Sequence, residues 1–172
     1  MELRDTIIGR SSGKPFEAYY RDIDSEKDFE GIKIQAARAY CFYKDKLVVV
    51  HELKGHWGLP GGQIEDGENV RDGLRREIKE ETNMNVLRMR FIGFQEAKDS
   101  EKTTYYVRAV CLVEPYGEFV KDPANEVTEI KLIDPAECCD LADANWGRIG
   151  ERMLERALEQ KKLIQMELDA IK

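Results

Sequence analysis

Residues 61–84 read GGQIEDGENVRDGLRREIKEETNM, and this stretch is the most informative part of the chain. Glu77, Glu80 and Glu81 recur at spacings that bring them onto one side of a helix. The glycines Gly61 and Gly62 lie in the loop that leads toward that helix. Carboxylates this close together repel one another unless a cation lies among them. The pattern therefore predicts a divalent metal site and chemistry on phosphates.

The helical angles sharpen this prediction. At about 100° per residue, one apolar stripe faces the protein, and it consists of Val70, Leu74 and Ile78. Glu77 and Glu81 fall within about 20° of Val70, so they are interleaved with the stripe. Half-buried carboxylates cost several kcal/mol unless they are paired or bind metal. Arg76 is the one nearby cation angled toward them. The opposite face is expected to be solvated, and it carries Arg71, Asp72, Arg75 and Lys79.

The segment resembles the signature of Nudix hydrolases, a family defined by glycine, arginine and glutamate at fixed spacing. The matching positions run from Gly62 to Met84 and include Glu68, Arg76, Glu77, Glu80 and Glu81. The preceding Trp57-Gly58-Leu59-Pro60 is similar to the usual lead-in. Asn83 stands where the family usually has glycine. Because asparagine also tolerates the left-handed conformation that ends many helices, we expect this departure to affect the helix end and not the chemistry.

The resemblance implies a role for each matching residue. Glu80 and Glu81 are the principal metal ligands, joined by Glu77 and the backbone carbonyl of Gly61. Arg76 orients a helix glutamate by ion pairing. Glu68 is a further ligand or a supporting carboxylate.

The resemblance also implies an activity. Family members cleave a pyrophosphate within a nucleoside diphosphate linked to another group, with Mg²⁺, or Mn²⁺ in its place, neutralising the phosphate oxygens and activating water. A carboxylate outside the motif often completes the catalytic set of Arg76, Glu77 and Glu80. Glu126 is the first candidate and Glu129 the second, although a solvated loop acid is an equally good interpretation of Glu126.

The order of elements indicates the fold. We expect strands at 36–43, 46–53, 86–95, 103–114 and 127–133. Helices are expected at 70–82, after an Asn69 N-cap, and at 145–171, with a short helical segment at Pro135. This order suits an α/β protein with a mixed sheet flanked by helices. The resemblance implies the Nudix-type α/β/α sandwich.

One domain over 1–172 accommodates all these elements. Residues 1–35 are expected to form an N-terminal extension, as a cap or short hairpin. The C-terminal helix, 145–172, is expected to pack on its own domain, and a homodimer contact through it is left open.

Composition excludes several classes. Lys and Arg total 27 against 34 Asp and Glu, so the formal net charge is −7. This charge argues against broad binding to nucleic acid but not against a small nucleotide derivative. The chain lacks a membrane-length apolar run and a signal-like N-terminus. The four cysteines fit neither a disulfide framework nor a zinc site, which suits reduced thiols and a cytoplasmic protein.

The choice of substrate depends on residues outside the motif. A base needs an aromatic platform and a few polar edges, and the candidates for substrate binding are His56, Trp57 and Tyr105. Residues that mark several substrate subgroups of the family are missing downstream of the motif. Two alternatives therefore stay open. One is an enzyme that removes pyrophosphate from the 5′ end of RNA, and the other is a non-catalytic nucleotide-binding regulatory domain.

Overall fold

The computed structural model describes residues 1–10, 12–53, 55–119, 122–123, 126–141 and 146–172. In this part of the chain, nine strands form one sheet. They are β1 (Glu2–Ile8), β2 (Pro15–Asp22), β3 (Ala36–Tyr43), β4 (Lys46–Glu52), β5 (Trp57–Gly58), β6 (Gly61–Gln63), β7 (Met84–Lys98), β8 (Thr103–Pro115) and β9 (Val127–Ile133). The helices are α1 (Val70–Thr82) and α2 (Arg148–Ile171), with short 3₁₀ helices at Glu26–Phe29 and Pro135–Asp140.

The sheet is mixed. Its strand order is β1-β2-β7-β8-β3-β4-β5, with β6 beside β3 and β9 beside β4. The β3–β8 pair is parallel, whereas the other paired strands are antiparallel. This arrangement places the start of β3, Ala36 to Arg38, between β8 and the glycine-rich strand β6.

Each face of the sheet carries its own apolar core. Because side chains alternate along a strand, Tyr40 and Phe42 of β3 pack on the α2 side, whereas Ala39 and Cys41 pack on the α1 side. The buried apolar residues of α2 are Ile149, Met153, Ala157 and Ile164, and those of α1 are Leu74 and Ile78. The predicted mixed sheet with a helix on either face is confirmed.

Helix α1 begins and ends at the predicted residues. The Asn69 side chain accepts a hydrogen bond from the Asp72 backbone N–H, 2.9 Å away, and thereby caps the helix. Asn83 ends the helix in the left-handed region, at φ 52° and ψ 36°. Its side-chain Nδ2 also donates to the backbone oxygen of Glu118 at 3.0 Å. Asparagine at this position therefore holds residues 116–118 as well as completing the turn.

The prediction that the outer face of α1 is solvated is wrong for two of its four residues. Arg71 Nε binds the Glu26 carboxylate at 3.0 Å, and its guanidinium lies 5.0 Å from the Phe91 ring centre. Lys79 Nζ lies 3.4 Å from the ring centre of Tyr116. The long aliphatic parts of these side chains let the cations reach back over aromatic rings. Only Asp72 and Arg75 of this face are exposed.

Other boundaries differ modestly from the predictions. Strand β7 is longer than 86–95 because it continues on both sides in pairing with β8. Strands β1 and β2 pair antiparallel and β2 pairs with β7, so the N-terminal strands extend the sheet at this edge. The predicted start of the C-terminal helix at Asn145 lies outside the described residues.

No helix in the described part of the chain is both long and apolar enough to cross a bilayer. The four cysteines are unbridged, and Cys41, Cys111 and Cys138 are buried. Burial raises the pKa of the Cys41 thiol well above its usual value, so this side chain behaves as a small apolar residue.

Asp22 joins α2 to the sheet edge. Its carboxylate accepts hydrogen bonds from Arg152 Nη2 at 2.7 Å and from the Tyr20 hydroxyl at 2.9 Å. Burial by itself would raise the pKa of Asp22, but the hydrogen bonds from Arg152 and Tyr20 outweigh it and lower the pKa. The ionised carboxylate therefore stabilises the packing of α2 against β2.

Replacing Asp22 with asparagine tests this junction. We expect Asp22→Asn to lower the free energy of unfolding at pH 7 by about 1.5–3 kcal/mol, the usual range for a hydrogen bond to a charged group. Because the folded-state pKa of Asp22 is lowered, its contribution is present above pH 3.8 and lost as the pH falls. Urea unfolding at pH 7 and pH 3 measures both effects. The exposed Asp24→Asn variant is the control, and an equal loss in both variants would contradict the assignment.

Candidate active site

A cleft of about 1070 Å³ opens beside the glycine-rich strand β6 and the inner face of α1. Its charged wall carries six glutamates and three arginines. These residues are Glu52, Glu65, Glu77, Glu80, Glu81, Glu126, Arg38, Arg76 and Arg108. Its apolar wall includes Tyr106, Val107 and Trp146. A cleft with crowded carboxylates on one side and aromatic rings on the other can hold a cation, phosphates and a planar group together.

Glu81 is the most buried of these carboxylates, with 4% of the residue exposed. Its Oε2 accepts a hydrogen bond from the Gly61 backbone N–H at 2.9 Å. Burial raises the pKa of Glu81 to about 8, although the Gly61 hydrogen bond and the charge of Arg38 act in the opposite direction. A bound cation would favour the ionised form that burial opposes.

Arg76 makes its three shortest ion pairs with Glu68, Glu77 and Glu80. Its Nη2 lies 2.8 Å from Glu68 Oε1, and its Nη1 lies 2.9 Å from Glu77 Oε1 and 3.4 Å from Glu80 Oε2. Hydrogen bonding to Arg76 lowers the pKa of Glu68. Glu77 responds differently, because burial raises its pKa even though Arg76 opposes the shift. Arg76 therefore orients the acidic side chains without neutralising all of them.

Gly61 and Gly62 let strand β6 lie close to both β3 and Glu77. Gly61 has φ 141°, and a Cβ there would lie 2.2 Å from the carbonyl oxygen of Ala37. A Cβ at Gly62 would lie 2.7 Å from the Glu77 carboxyl carbon. The contact at Gly61 cannot be relieved cheaply because it involves backbone, whereas the contact at Gly62 involves the end of the flexible Glu77 side chain. Packing therefore requires glycine at Gly61, and at Gly62 it leaves room for the Glu77 carboxylate.

The acidic cluster fits a divalent cation by its chemistry. Glu77 and Glu81 are carboxylates whose ionisation is opposed by burial, and Glu80 stands beside Glu77. Hard cations such as Mg²⁺ prefer such oxygen ligands. As the side chains stand, no group of three His, Cys, Asp or Glu residues in the described ranges is arranged to hold a metal ion.

The structure brings most of the predicted site residues together. Gly61, Glu77, Glu80 and Glu81 all line the cleft, as does Arg76. Glu68 reaches the cluster through Arg76. Glu126 also lines the cleft, and its charge raises the pKa of Glu77. Glu129 is instead paired opposite His51 in the β4–β9 ladder.

The three predicted substrate-binding residues lie outside the lining of this cleft. His56 Nε2 binds Glu52 at 3.0 Å. Trp57 contacts the His51 ring, with 5.0 Å between ring centres. Tyr105 stacks on Phe94 at 5.8 Å. The aromatic residues that do line the cleft are Tyr106 and Trp146, whose ring centres are 6.4 Å apart.

Sequence reasoning missed Arg38 and Arg108, which lie directly across from each other on the parallel strands β3 and β8. Arg38 Nη1 donates to Glu52 Oε1 at 3.1 Å and to the Leu59 carbonyl at 2.8 Å. Arg108 is 4% exposed. The available signal was a single arginine within an otherwise apolar strand, in AARAYCF and again in VRAVCLV.

Comparisons with known proteins agree with this geometry. The model of the NUDIX domain family matches residues 33–156. "Nudix hydrolase 6" of Arabidopsis thaliana is 30% identical over 95 residues, which cover 50% of this chain and 33% of that protein. Human "8-oxo-dGDP phosphatase NUDT18" is 32% identical over 82 residues, which cover 45% of this chain and 24% of that protein. The chain thus spans a third or less of the length of these curated relatives.

Solved structures show the same fold. A mutant of the Bacillus subtilis pyrophosphohydrolase BsRppH aligns with a TM-score of 0.67 at 14% identity, covering 88% of this chain and 96% of that one. The NUDIX domain of Shewanella oneidensis NrtR, solved in complex with ADP ribose, aligns with a TM-score of 0.56 at 21% identity. That alignment covers 79% of this chain and 92% of the NrtR chain.

The burial of Glu81 predicts a pH dependence of stability in the metal-free protein. The folded-state pKa of about 8 exceeds the ordinary value of 4.5, so the contribution of Glu81 to stability is greatest below pH 4.5 and is lost as the pH rises through 8. We expect Glu81→Gln to remove this loss and to be more stable than wild type at pH 8.5 by a few kcal/mol, on the order of 1.4 kcal/mol per pKa unit.

Urea unfolding in EDTA between pH 4.5 and 8.5 measures this difference. Glu65→Gln is the matched control, because it removes the same charge from an exposed side chain of the cleft rim. Parallel pH profiles for wild type and Glu81→Gln would show that the Glu81 carboxylate is not desolvated.

Proposed function

The chain belongs to the Nudix hydrolase family, and on that premise we propose that it is a Mg²⁺-dependent pyrophosphohydrolase. Its substrate would be a nucleoside diphosphate linked to another group, cleaved at the diphosphate. The observation that carries this proposal is the joining of Glu68, Glu77 and Glu80 by Arg76 beside the buried carboxylate of Glu81.

The residues Glu77, Glu80 and Glu81, with the backbone of Gly61, would hold the cation. When bound, Mg²⁺ or Mn²⁺ supplies neutralisation of phosphate charge and lowers the pKa of water. Arg76 keeps the glutamates in register along α1, because it contacts Glu77 and Glu80 from the same guanidinium nitrogen. Glu81 is fixed from the other side by the Gly61 N–H.

Glu126 is the proposed general base. It is exposed at the cleft, where it can accept a proton from water. Hydrogen bonds hold both the N–H and the carbonyl group of Glu126. The buried Asp122 carboxylate accepts hydrogen bonds from the Glu126 and Val127 N–H groups at 2.9 and 3.0 Å, and the Glu126 carbonyl accepts one from Leu53 at 3.0 Å. Asp122 thus positions Glu126 although the sequence pattern did not single it out.

The two walls of the cleft support a nucleotide as substrate. A diphosphate suits the acidic wall once a cation is bound, and a base suits the rings of Tyr106 and Trp146. The names of the relatives and structural neighbours suggest candidates for a substrate panel. These are 8-oxo-dGDP and ADP-ribose.

Substitution of the acidic residues tests the activity. We expect Glu80→Gln and Glu81→Gln each to lower kcat by on the order of 100-fold or more, because the transition state loses electrostatic stabilisation. The measurement is release of nucleoside monophosphate from the panel with Mg²⁺ and with Mn²⁺. Arg75→Gln is the control, since Arg75 is exposed on the outer face of α1. Full activity in both glutamine variants would contradict the proposal.

Two alternative functions have distinct outcomes in the same experiment. An RNA 5′ pyrophosphohydrolase would release pyrophosphate from triphosphorylated RNA faster than it cleaves any mononucleotide derivative. The net charge of −7 disfavours this alternative. A regulatory domain would bind a nucleotide without hydrolysing it. The intact acidic cluster with Arg76 favours hydrolysis over binding alone.

A further inference from the structure

Two polar side chains lie within the apolar face of the sheet beneath α2. Gln95 of β7 is fully buried, and Arg108 of β8 is 4% exposed. Both share this face with buried apolar residues, because Arg108 is two residues before Val110 and Gln95 lies directly opposite Tyr106. Arg108 also lines the cleft. Burying these two polar side chains costs free energy. We therefore expect them to serve in binding a ligand.

The contact between the two side chains fixes the orientation of the Gln95 amide. Arg108 Nε donates a hydrogen bond to Gln95 Oε1. Because a guanidinium has only donors, the amide oxygen must face Arg108, and the amide nitrogen must point elsewhere. Gln95 Nε2 is buried and has no hydrogen-bond partner among the described residues. Gln95 Nε2 is therefore a buried donor that lies beside the N–H groups of Arg108.

These donors lie next to the aromatic wall of the cleft. Tyr106 is two residues from Arg108 on the same strand, so their side chains project from one face about 7 Å apart. The Trp146 ring makes edge-to-face contacts with Tyr106 and with Phe16, whose ring centre lies 5.3 Å away. A planar ring resting on this wall would present its edge to Arg108.

We propose that Arg108, positioned by Gln95, binds the carbonyl oxygen on the edge of the substrate base, so that the protein prefers 6-oxopurine to 6-aminopurine nucleotides. The inference rests on the proposed function for its substrate class and adds the identity of the base. The exocyclic amino group of adenine is a hydrogen-bond donor, and it would lie against the N–H donors of Arg108. Both groups would then be buried without an acceptor, which costs free energy. Sites of this kind reject the mismatched analogue strongly.

Inosine and adenosine 5′-monophosphates provide the test, because their purine rings differ at position 6, a carbonyl in one and an amino group in the other. Calorimetric titration of the Mg²⁺-loaded protein should give an affinity for inosine monophosphate about 10–100-fold higher than for adenosine monophosphate, the usual range for a good bidentate base contact. Equal affinities, or no measurable binding of either nucleotide, would overturn the proposal without any variant being needed.

Two variants test the residues. Arg108→Gln and Gln95→Leu should bring the affinity ratio close to one, chiefly by weakening the binding of inosine monophosphate. If both nucleotides weaken equally, Arg108 contacts the phosphate and the proposal is wrong. Arg90→Gln is the matched control and should keep the wild-type ratio. Arg90 lies on β7 and, like Arg108, donates to a glutamine, Gln160 at 3.0 Å, but it lies outside the cleft lining.

The binding measurement separates this proposal from the proposed catalysis. A protein that binds inosine monophosphate preferentially yet hydrolyses no inosine or adenosine diphosphate derivative would retain the base preference and lose the catalytic function. A protein that hydrolyses both derivatives and binds both monophosphates equally would lose the base preference alone.

Discussion

The hydrogen bond from the Gly61 N–H to the Glu81 carboxylate holds together three of the elements that line the cleft. Glu81 belongs to α1, Gly61 begins β6, and β6 pairs with the start of β3. A carboxylate buried here without a donor would carry its full desolvation cost, and the Gly61 N–H offsets part of that cost. The absence of a Cβ at Gly61 permits that approach, because β3 backbone occupies the space.

Arg76 reduces the repulsion among the carboxylates on the exposed side of α1. Four acidic residues would repel one another there, and the guanidinium contacts Glu65, Glu68, Glu77 and Glu80 within 4 Å. These ion pairs hold the carboxylates close together. The pKa of Glu77 nevertheless remains raised. The negative charge of this cluster is thus only partly neutralised by Arg76, which suits a site that gains a cation.

Local signals in the sequence predicted the parts of the site that lie on one element. Asn69 and Asn83 mark the ends of α1, and the angular position of Glu81 predicted its burial. The contributions of Arg38, Arg108 and Trp146 depend instead on which strands are neighbours. The parallel pairing of β3 with β8 and the position of α2 on the sheet are non-local, and no spacing in the sequence encodes them. The choice between Tyr105 and Tyr106 likewise depends on which face of β8 meets the cleft.

Asn83 carries a consequence for how this sequence can diverge. Its backbone conformation would admit glycine, but its side chain also holds the Glu118 carbonyl, and its own carbonyl accepts the Tyr116 N–H. Lys79 binds the ring of Tyr116 from the same end of α1. Position 83 and residues 116–118 therefore form one epistatic unit. An exchange at either place changes the background on which the other is selected, so homologues with glycine at the helix end should show a different 116–118 segment.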